Sequence, residues 1–305
     1  MSLETLSEPP MKLTGWAGPH VTERAWDRDG HEFPQRRLMR AQSSAGAKRM
    51  GWRFTRLVNG GQDLPDYPQE IGDCTSFGGK HAIEYRMCQE IAAGGEQEAF
   101  HPIFPPWLYG VARTVIGKGQ INLNGDGAAG IWIAMVVKKY GILAADASGV
   151  PQYSASVAKS WGKNGPPKEM FALAQPHTML GAERLGSYAQ VRDALANDEY
   201  VTIATQRIPQ LGSVVRNGKR WMQLKFDANQ GHQWALVGID DDAVAPGGYA
   251  KNSWGPTAHG VPLNGEPDGG AWLAADEIDR ACREGEVIAY YSLNGWDSGI
   301  PNVVG

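Results

Sequence analysis

Cysteine is scarce in this chain: Cys74, Cys88 and Cys282 are the only three in 305 residues. An odd, thinly spread set makes a poor disulfide framework, which excludes a small stapled secreted scaffold and favours a reducing compartment. Long apolar runs are missing as well, so no stretch reads as a membrane span. The opening MSLETLSEPPMKLTG has no basic region followed by an apolar one, so it is not read as a secretory leader. A strong charge of either sign is also absent. The formal net charge of −4 speaks against a nucleic-acid partner and against a membrane surface. No period-matched repeat runs through the chain. Glycine (39) and tryptophan (11) are plentiful, which suits loops and close backbone approaches better than a helical bundle. The length allows one large domain or two lobes sharing an interface.

Residues 1–60 are polar, rich in arginine and without a sustained period. They hold a positive cluster of Arg36, Arg37, Arg40, Lys48, Arg49, Arg53 and Arg56. The expectation is a solvated N-terminal arm, with an inhibitory pro-segment or docking arm as the sharper reading. After the turn-rich NGGQDLPDYPQEIGD, a helical pattern begins at Cys74 and stops at AAGG, residues 92–95. Gly78 and Gly79 weaken that helix and make sense where another backbone packs closely. IWIAMVVKKYGIL reads as a helix ended by Gly141. Residues 145–180 are mixed and read as a connection between lobes. Ser187 is an expected N-cap, followed by a strand at about 200–205. HQWALVGIDDD, GYAKNSWG and EVIAYYSL read as strands, and GGAWLAADEIDRACREG as a strand end with a short helix. Helices first and strands later point to α+β architecture.

A cysteine in the first turn of a helix feels the positive end of the macrodipole, which favours thiolate over thiol. Its own N–H points out of the helix end, where it can stabilise an oxyanion. Gln69 is close enough in sequence to give a second donor. The base must be a histidine, and there are seven. His81 lies two turns along the same helix, about 10 Å away and out of reach. His232 opens a strand-like run that another lobe could bring to a helix end. His259 sits in a Gly/Pro-rich loop, and His20, His31, His101 and His177 have no supporting context. Asn252 in KNSWG suits the third role, fixing the imidazole tautomer, and Trp254 could shield the pair from water. Cys88 and Cys282 read as core fillers. The acidic run Asp240–Asp242 reads as a turn between strands, with no metal ligand set around it.

These pieces resemble the papain family of cysteine peptidases. CTSF…IE, from Cys74 to Glu84, is similar to the family's nucleophile helix. GHQWALVGID is similar to its histidine strand, and KNSWG to its Asn-Ser-Trp box. NGDGAAG resembles the Gly-rich loop that lines the substrate cleft. Their order in the chain is also the family's, and the likeness covers about residues 64–275. It implies a two-lobed α+β fold, with a helical lobe (about 61–150) and an antiparallel β-rich lobe (about 176–295) around a cleft. It implies Cys74 as nucleophile, His232 as base and then acid, and Asn252 orienting His232. Gln69 and the Cys74 N–H would form the oxyanion hole. Gly125, Asp126, Gly127 and Trp254 would bind substrate. Gln69 stands one residue nearer the cysteine than in typical members, Thr75 replaces papain's tryptophan, and the family's usual disulfide cysteines are missing. The loop from Pro256 to Gly270 is long. A divergent member of prokaryotic or phage type is implied, cytoplasmic or virion-associated.

The expected activity is peptide-bond hydrolysis through a thioester, with no cofactor, no metal, and a peptide or protein as partner. An acyl transferase or amidase on the same scaffold is the alternative, and a structural or virion protein with a vestigial site is another. Removing residues 1 to about 60 should raise activity if the arm covers the cleft.

Overall fold

The computed structural model describes residues 14–33, 44–94 and 100–294. Arg36, Arg37 and Arg40 of the basic cluster lie outside these residues.

The first described element is helix α1 (Pro19–Asp29), started by a proline whose missing N–H costs nothing at that position. A short strand β1 (Lys48–Met50) and helix α2 (Trp52–Val58) follow. Residues 48–58 are therefore part of the folded body, not a solvated arm. β1 pairs with β8 (His232–Asp240), and its cations are matched. Lys48 meets Asp240 at 3.3 Å, Arg49 meets Asp198, and Arg56 meets Asp63 at 2.7 Å.

Helix α3 (Cys74–Gly94) is buried along most of its length and on every side. That explains its weak amphipathic pattern, because a helix covered all round needs no polar face. The charges it does carry are paired: Lys80 Nζ donates to Glu84 at 2.7 Å, one turn on. Gly78 meets β8, where an added Cβ would come within 3.1–3.4 Å of Gln233 and Trp234. Gly79 instead faces the side chain of Ile133.

Helices α4 (Pro105–Val111) and α5 (Gly130–Tyr140) pack beside α3. Gly141 ends α5 at φ +83°, as the sequence predicts. The stretch read as a connection holds two further helices, α6 (Ala155–Asn164) and α7 (Glu169–Ala174). The Ser154 hydroxyl caps α6 by accepting from Val157 N at 3.3 Å.

The later half supplies the remaining strands: β2 (Thr178–Arg184), β3 (Tyr200–Thr205), β4 (Arg207–Pro209), β5 (Val214–Arg216), β6 (Lys219–Trp221) and β7 (Leu224–Phe226). β8 then leads to β9 (Gly247–Lys251), β10 (Gly270–Ala274) and β11 (Glu286–Asn294). The main sheet runs β2-β11-β3-β8-β9-β10-β6-β5, with β1 also on β8. Every pair in it is antiparallel except β10 with β6. Helix α8 (Tyr188–Ala196), capped by Ser187 as expected, and helix α9 (Ala275–Glu284) pack on this sheet. All nine residues of β8 are buried, so both faces of the strand are covered. One contiguous apolar core joins helices and sheet, with Trp107, Trp132, Trp234 and Tyr290 fully enclosed. Cys88 and Cys282 are buried and free, as core fillers would be. Among the described residues no helix is long and apolar enough to cross a membrane.

Candidate active site

Cys74 is the first residue of α3 and is fully buried. The turn before it is tight. Asp73 N donates to Ile71 O at 2.9 Å, and the Asp73 carbonyl accepts from Ser76 N and from the Ser76 hydroxyl. Gly72 N donates to Asp126 Oδ2 at 2.9 Å, which ties the cysteine turn to the Gly-rich loop. That loop is held from below by Arg113, whose buried guanidinium donates to the carbonyls of Gly125 and Gly127. Gly125 and Asp126 are exposed, while Gly127 is buried.

His232 begins β8, opposite Thr205 of β3, and is also fully buried. Its Nε2 lies 2.7 Å from Asn252 Oδ1. Asn252 follows β9, and its Oδ1 also accepts from Ser253 N at 2.8 Å. Its amide nitrogen donates to His259 Nε2 at 2.9 Å. Trp254 covers the pair, with its ring 4.6 Å from that of His232. His232 Nδ1 has no hydrogen-bond partner among the described residues.

Gln69 bridges the two halves of the site. Its backbone N donates to Ser253 O at 2.9 Å and its Oε1 accepts from the Ser253 hydroxyl. One amide N–H is bound to the Ile71 carbonyl at 2.7 Å. The side chain is thus fixed between the cysteine turn and the Asn252 turn.

A segment that the sequence reading did not anticipate packs against the cysteine turn. Residues 14–17 run between the cysteine turn, the Gly-rich loop and the start of β8. Gly15 N and Trp16 N both donate to Gly231 O at 2.9 Å. Ala128 N donates to Gly15 O at 2.8 Å, and Ala17 N to Ala128 O at 2.9 Å. The fit leaves no room for side chains: a Cβ on Gly15 would stand 1.8 Å from Gly72 O, and one on Gly72 would stand 2.4 Å from Thr14 O. Beyond the cleft, Glu286 anchors the segment. This buried carboxylate accepts from Trp16 Nε1 at 3.1 Å, Trp26 Nε1 at 2.9 Å, and the amides of Gly130 and Ile131 that open α5.

The electrostatics follow from this enclosure. The helix N-terminus was expected to lower the Cys74 thiol, and the backbone amides of Gln233, Gly15 and Thr75 do act on the sulfur in that sense. Burial outweighs them, with buried Asp73 adding to it, and the thiol is pushed up to about 12. Burial likewise pushes His232 down to about 4. In this closed arrangement both groups are neutral near pH 7.

No family model matches the sequence, and no curated protein does. Solved structures do match. Xylellain, a cysteine protease from Xylella fastidiosa, superposes with a TM-score of 0.62 at 15% identity, over 94% of this chain and 99% of its own. The chain has the papain-like fold. Procathepsin B S9 from Trypanosoma congolense gives a TM-score of 0.58 at 13% identity, over 92% of this chain and 87% of its own. Digestive procathepsin L 3 of the Tenebrio molitor larval midgut gives 0.57 at 14% identity, over 89% and 79%. On this papain-like fold Cys74, His232 and Asn252 lie at the ends of three elements: the start of α3, the start of β8 and the end of β9. Among the described residues no cluster of His, Cys, Asp or Glu has a metal-binding arrangement. Sequence reading passed over Gly15, Arg113 and Gln233, and left His259 without a role. Only the glycine-rich TGWAG hinted at a close backbone approach.

Proposed function

We propose that this chain is a cysteine peptidase, with Cys74 as nucleophile, His232 as base and then acid, and Asn252 orienting His232. The reading rests above all on the 2.7 Å pairing of His232 Nε2 with Asn252 Oδ1. An amide oxygen can accept only from a protonated nitrogen, so Nε2 carries the proton and Nδ1 is the free basic nitrogen. The adjacent amide, Gln233 N–H, acts on the Cys74 sulfur, which supports the two groups working together.

A proton passes from Cys74 Sγ to His232 Nδ1, and the thiolate attacks the substrate carbonyl. The oxyanion is stabilised by the Cys74 N–H, with the Gln69 side-chain amide as second donor. His232 Nδ1–H then protonates the leaving amine, and water hydrolyses the thioester. The substrate is a peptide in extended form, lying against Gly125, Asp126 and Gly127 with Trp254 walling the histidine.

In this reading residues 14–17 form part of a pro-segment that occupies the substrate's path. It uses backbone hydrogen bonds of the kind an extended peptide would make. Two of the matched structures are pro-forms by name, which accords with it. The segment that could leave ends before β1. Removing residues 1–60 would take away β1 and α2 as well, so a shorter truncation is the informative one.

The test takes the full chain carrying Gly15→Ala, which displaces residues 14–17, as parent and compares it with the same chain carrying Cys74→Ala as well, on an unstructured protein substrate and with a thiol-directed epoxide. Turnover and labelling are expected in the parent and a loss of at least about 1,000-fold in the variant. Turnover retained by Cys74→Ala overturns the assignment. Product carrying an added amine marks an acyl transferase instead, and a parent that shows neither reaction marks a vestigial site.

A further inference from the structure

We infer that His259 is a positioning residue for the proposed hydrolysis: it fixes the side-chain amide of Asn252 and, through it, the tautomer of His232. The inference rests on the reading of Cys74 and His232 given above. It is carried by a chain of hydrogen bonds whose polarity is set at two backbone groups.

Ser253 N is a donor and nothing else, so the Asn252 atom 2.8 Å from it must be the oxygen. The same oxygen faces His232 Nε2, which must therefore be the protonated nitrogen. The amide nitrogen then faces His259 Nε2 at 2.9 Å, and that nitrogen must be bare to accept. The other end agrees. His259 Nδ1 lies 3.4 Å from Gly212 O, and the Gln210 carbonyl also acts on the ring, so Nδ1 carries the proton. A carbonyl near one end and an amide N–H at the other thus impose one direction on two rings and an amide.

His259 is built to hold this place. It is fully buried, and its carbonyl accepts from the Ser213 hydroxyl at 2.6 Å. Gly212 N donates to Ala258 O at 2.7 Å, which clamps the His259 loop to the strand-connecting loop opposite. Trp254 lies nearly parallel to the His259 ring, at 28° with centroids 6.3 Å apart, and also covers His232. One indole therefore shields both ends of the chain from water. Burial favours the neutral imidazole, which keeps Nε2 available as an acceptor. Without that acceptor, the Asn252 amide nitrogen would be a buried donor with no partner. Rotating the amide would then put its N–H groups against His232, where they oppose the tautomer that leaves Nδ1 basic.

The experiment uses the full-length protein in two arms. The first needs no turnover. Long-range 1H–15N spectra of imidazole-labelled protein should show His259 as the Nδ1–H tautomer and His232 as the Nε2–H tautomer near pH 7. A His259 that carries its proton on Nε2, or on both nitrogens, overturns the inference. The second arm, on the Gly15→Ala background that opens the site, measures kcat and KM for His259→Leu, His259→Gln, Asn252→Ala and the double variant Asn252→Ala/His259→Leu. His259→Leu should lower kcat roughly 10- to 100-fold with KM nearly unchanged. His259→Gln, which offers an amide oxygen to Asn252, should recover to within about fivefold of the parent. On the Asn252→Ala background the leucine change should cost less than about twofold, because the route through Asn252 is already gone. An equal loss on both backgrounds means that His259 only supports the loop, and overturns the inference. Should His259→Leu not fold, the parent spectra and the glutamine variant still decide. If Cys74→Ala keeps its turnover while the tautomers are as stated, the peptidase reading fails and the bonding direction stands.

Discussion

Lys48–Val58 and Thr14–Ala17 both come from the first sixty residues, and they join the protein in different ways. Lys48–Val58 adds to a strand ladder an extensive set of side-chain contacts. β1 adds to the sheet beside β8, and Trp52 packs edge-on against Tyr249 at 5.2 Å and near Trp272 at 6.5 Å. Lys48, Arg49 and Arg56 are answered by Asp240, Asp198 and Asp63. Thr14–Ala17 enters through its backbone, with amides and carbonyls on Gly231 and Ala128, and only Trp16 Nε1 reaching a buried partner, Glu286. Contacts made by side chains belong to one sequence and build a core. Contacts made by backbone can be taken over by another peptide, which is what the proposed pro-segment role requires.

The largest expected effect tests the first half of that contrast. Trp52→Ala empties a buried site and should lower stability by about 3–5 kcal/mol in urea denaturation. It should not raise the labelling of Cys74. A stability change under about 1 kcal/mol would place Trp52 outside the core. Next comes acid. Burial holds His232 at about 4, below the ordinary value near 6.5. Between those values the unfolded chain takes up a proton that the folded chain refuses. Stability is therefore complete above about pH 6.5 and falls as the pH drops toward 4. His232 alone should cost about 2 kcal/mol by pH 5, given its folded value of about 4. Flat stability from pH 7 to 5 would mean that His232 is not sealed from water. The smallest effect sharpens the second half. Gly15→Ala places a methyl 1.8 Å from Gly72 O, which the segment can avoid only by leaving. Alkylation of Cys74 by iodoacetamide should rise roughly tenfold, with little change in melting temperature. In that variant His232 meets solvent and the acid sensitivity should shrink. Unchanged alkylation would show that residues 14–17 do not close the site.

The boundary between what the sequence made legible and what it hid follows the same division. α3, β3, β8, β9 and β11 were readable because apolar periodicity and cap residues such as Ser187 are local signals. Cys74, His232 and Asn252 drew attention through motif pieces of a few residues each. The segment at 14–17 left no pattern, because backbone hydrogen bonds do not select side chains beyond demanding glycine at Gly15. Residues 48–58 were misread because a run of Lys and Arg looks solvated until its carboxylates, up to 192 positions away, are known. α6 and α7 were missed where Pro166 and Pro167 suggested a connection. His259 sits in a loop whose composition says nothing, and its partner Asn252 lies 7 residues back across a turn. The Cys74 thiol was misjudged for a further reason. A helix end can be read from sequence, but the burial that outweighs it comes from chain elements brought there by the fold.

Glu286 also sets an order in time. Trp16 and the carboxylate that holds it are 270 residues apart. A ribosome adding about 5–20 residues per second needs roughly 14–54 s to cover that distance. Throughout that interval Trp16 and Trp26 wait without their acceptor, and the first turn of α5 waits for its anion. The anchor of the N-terminal segment is thus a checkpoint on completeness: it can be fastened only after the strands that carry His232 and Asn252 have been made.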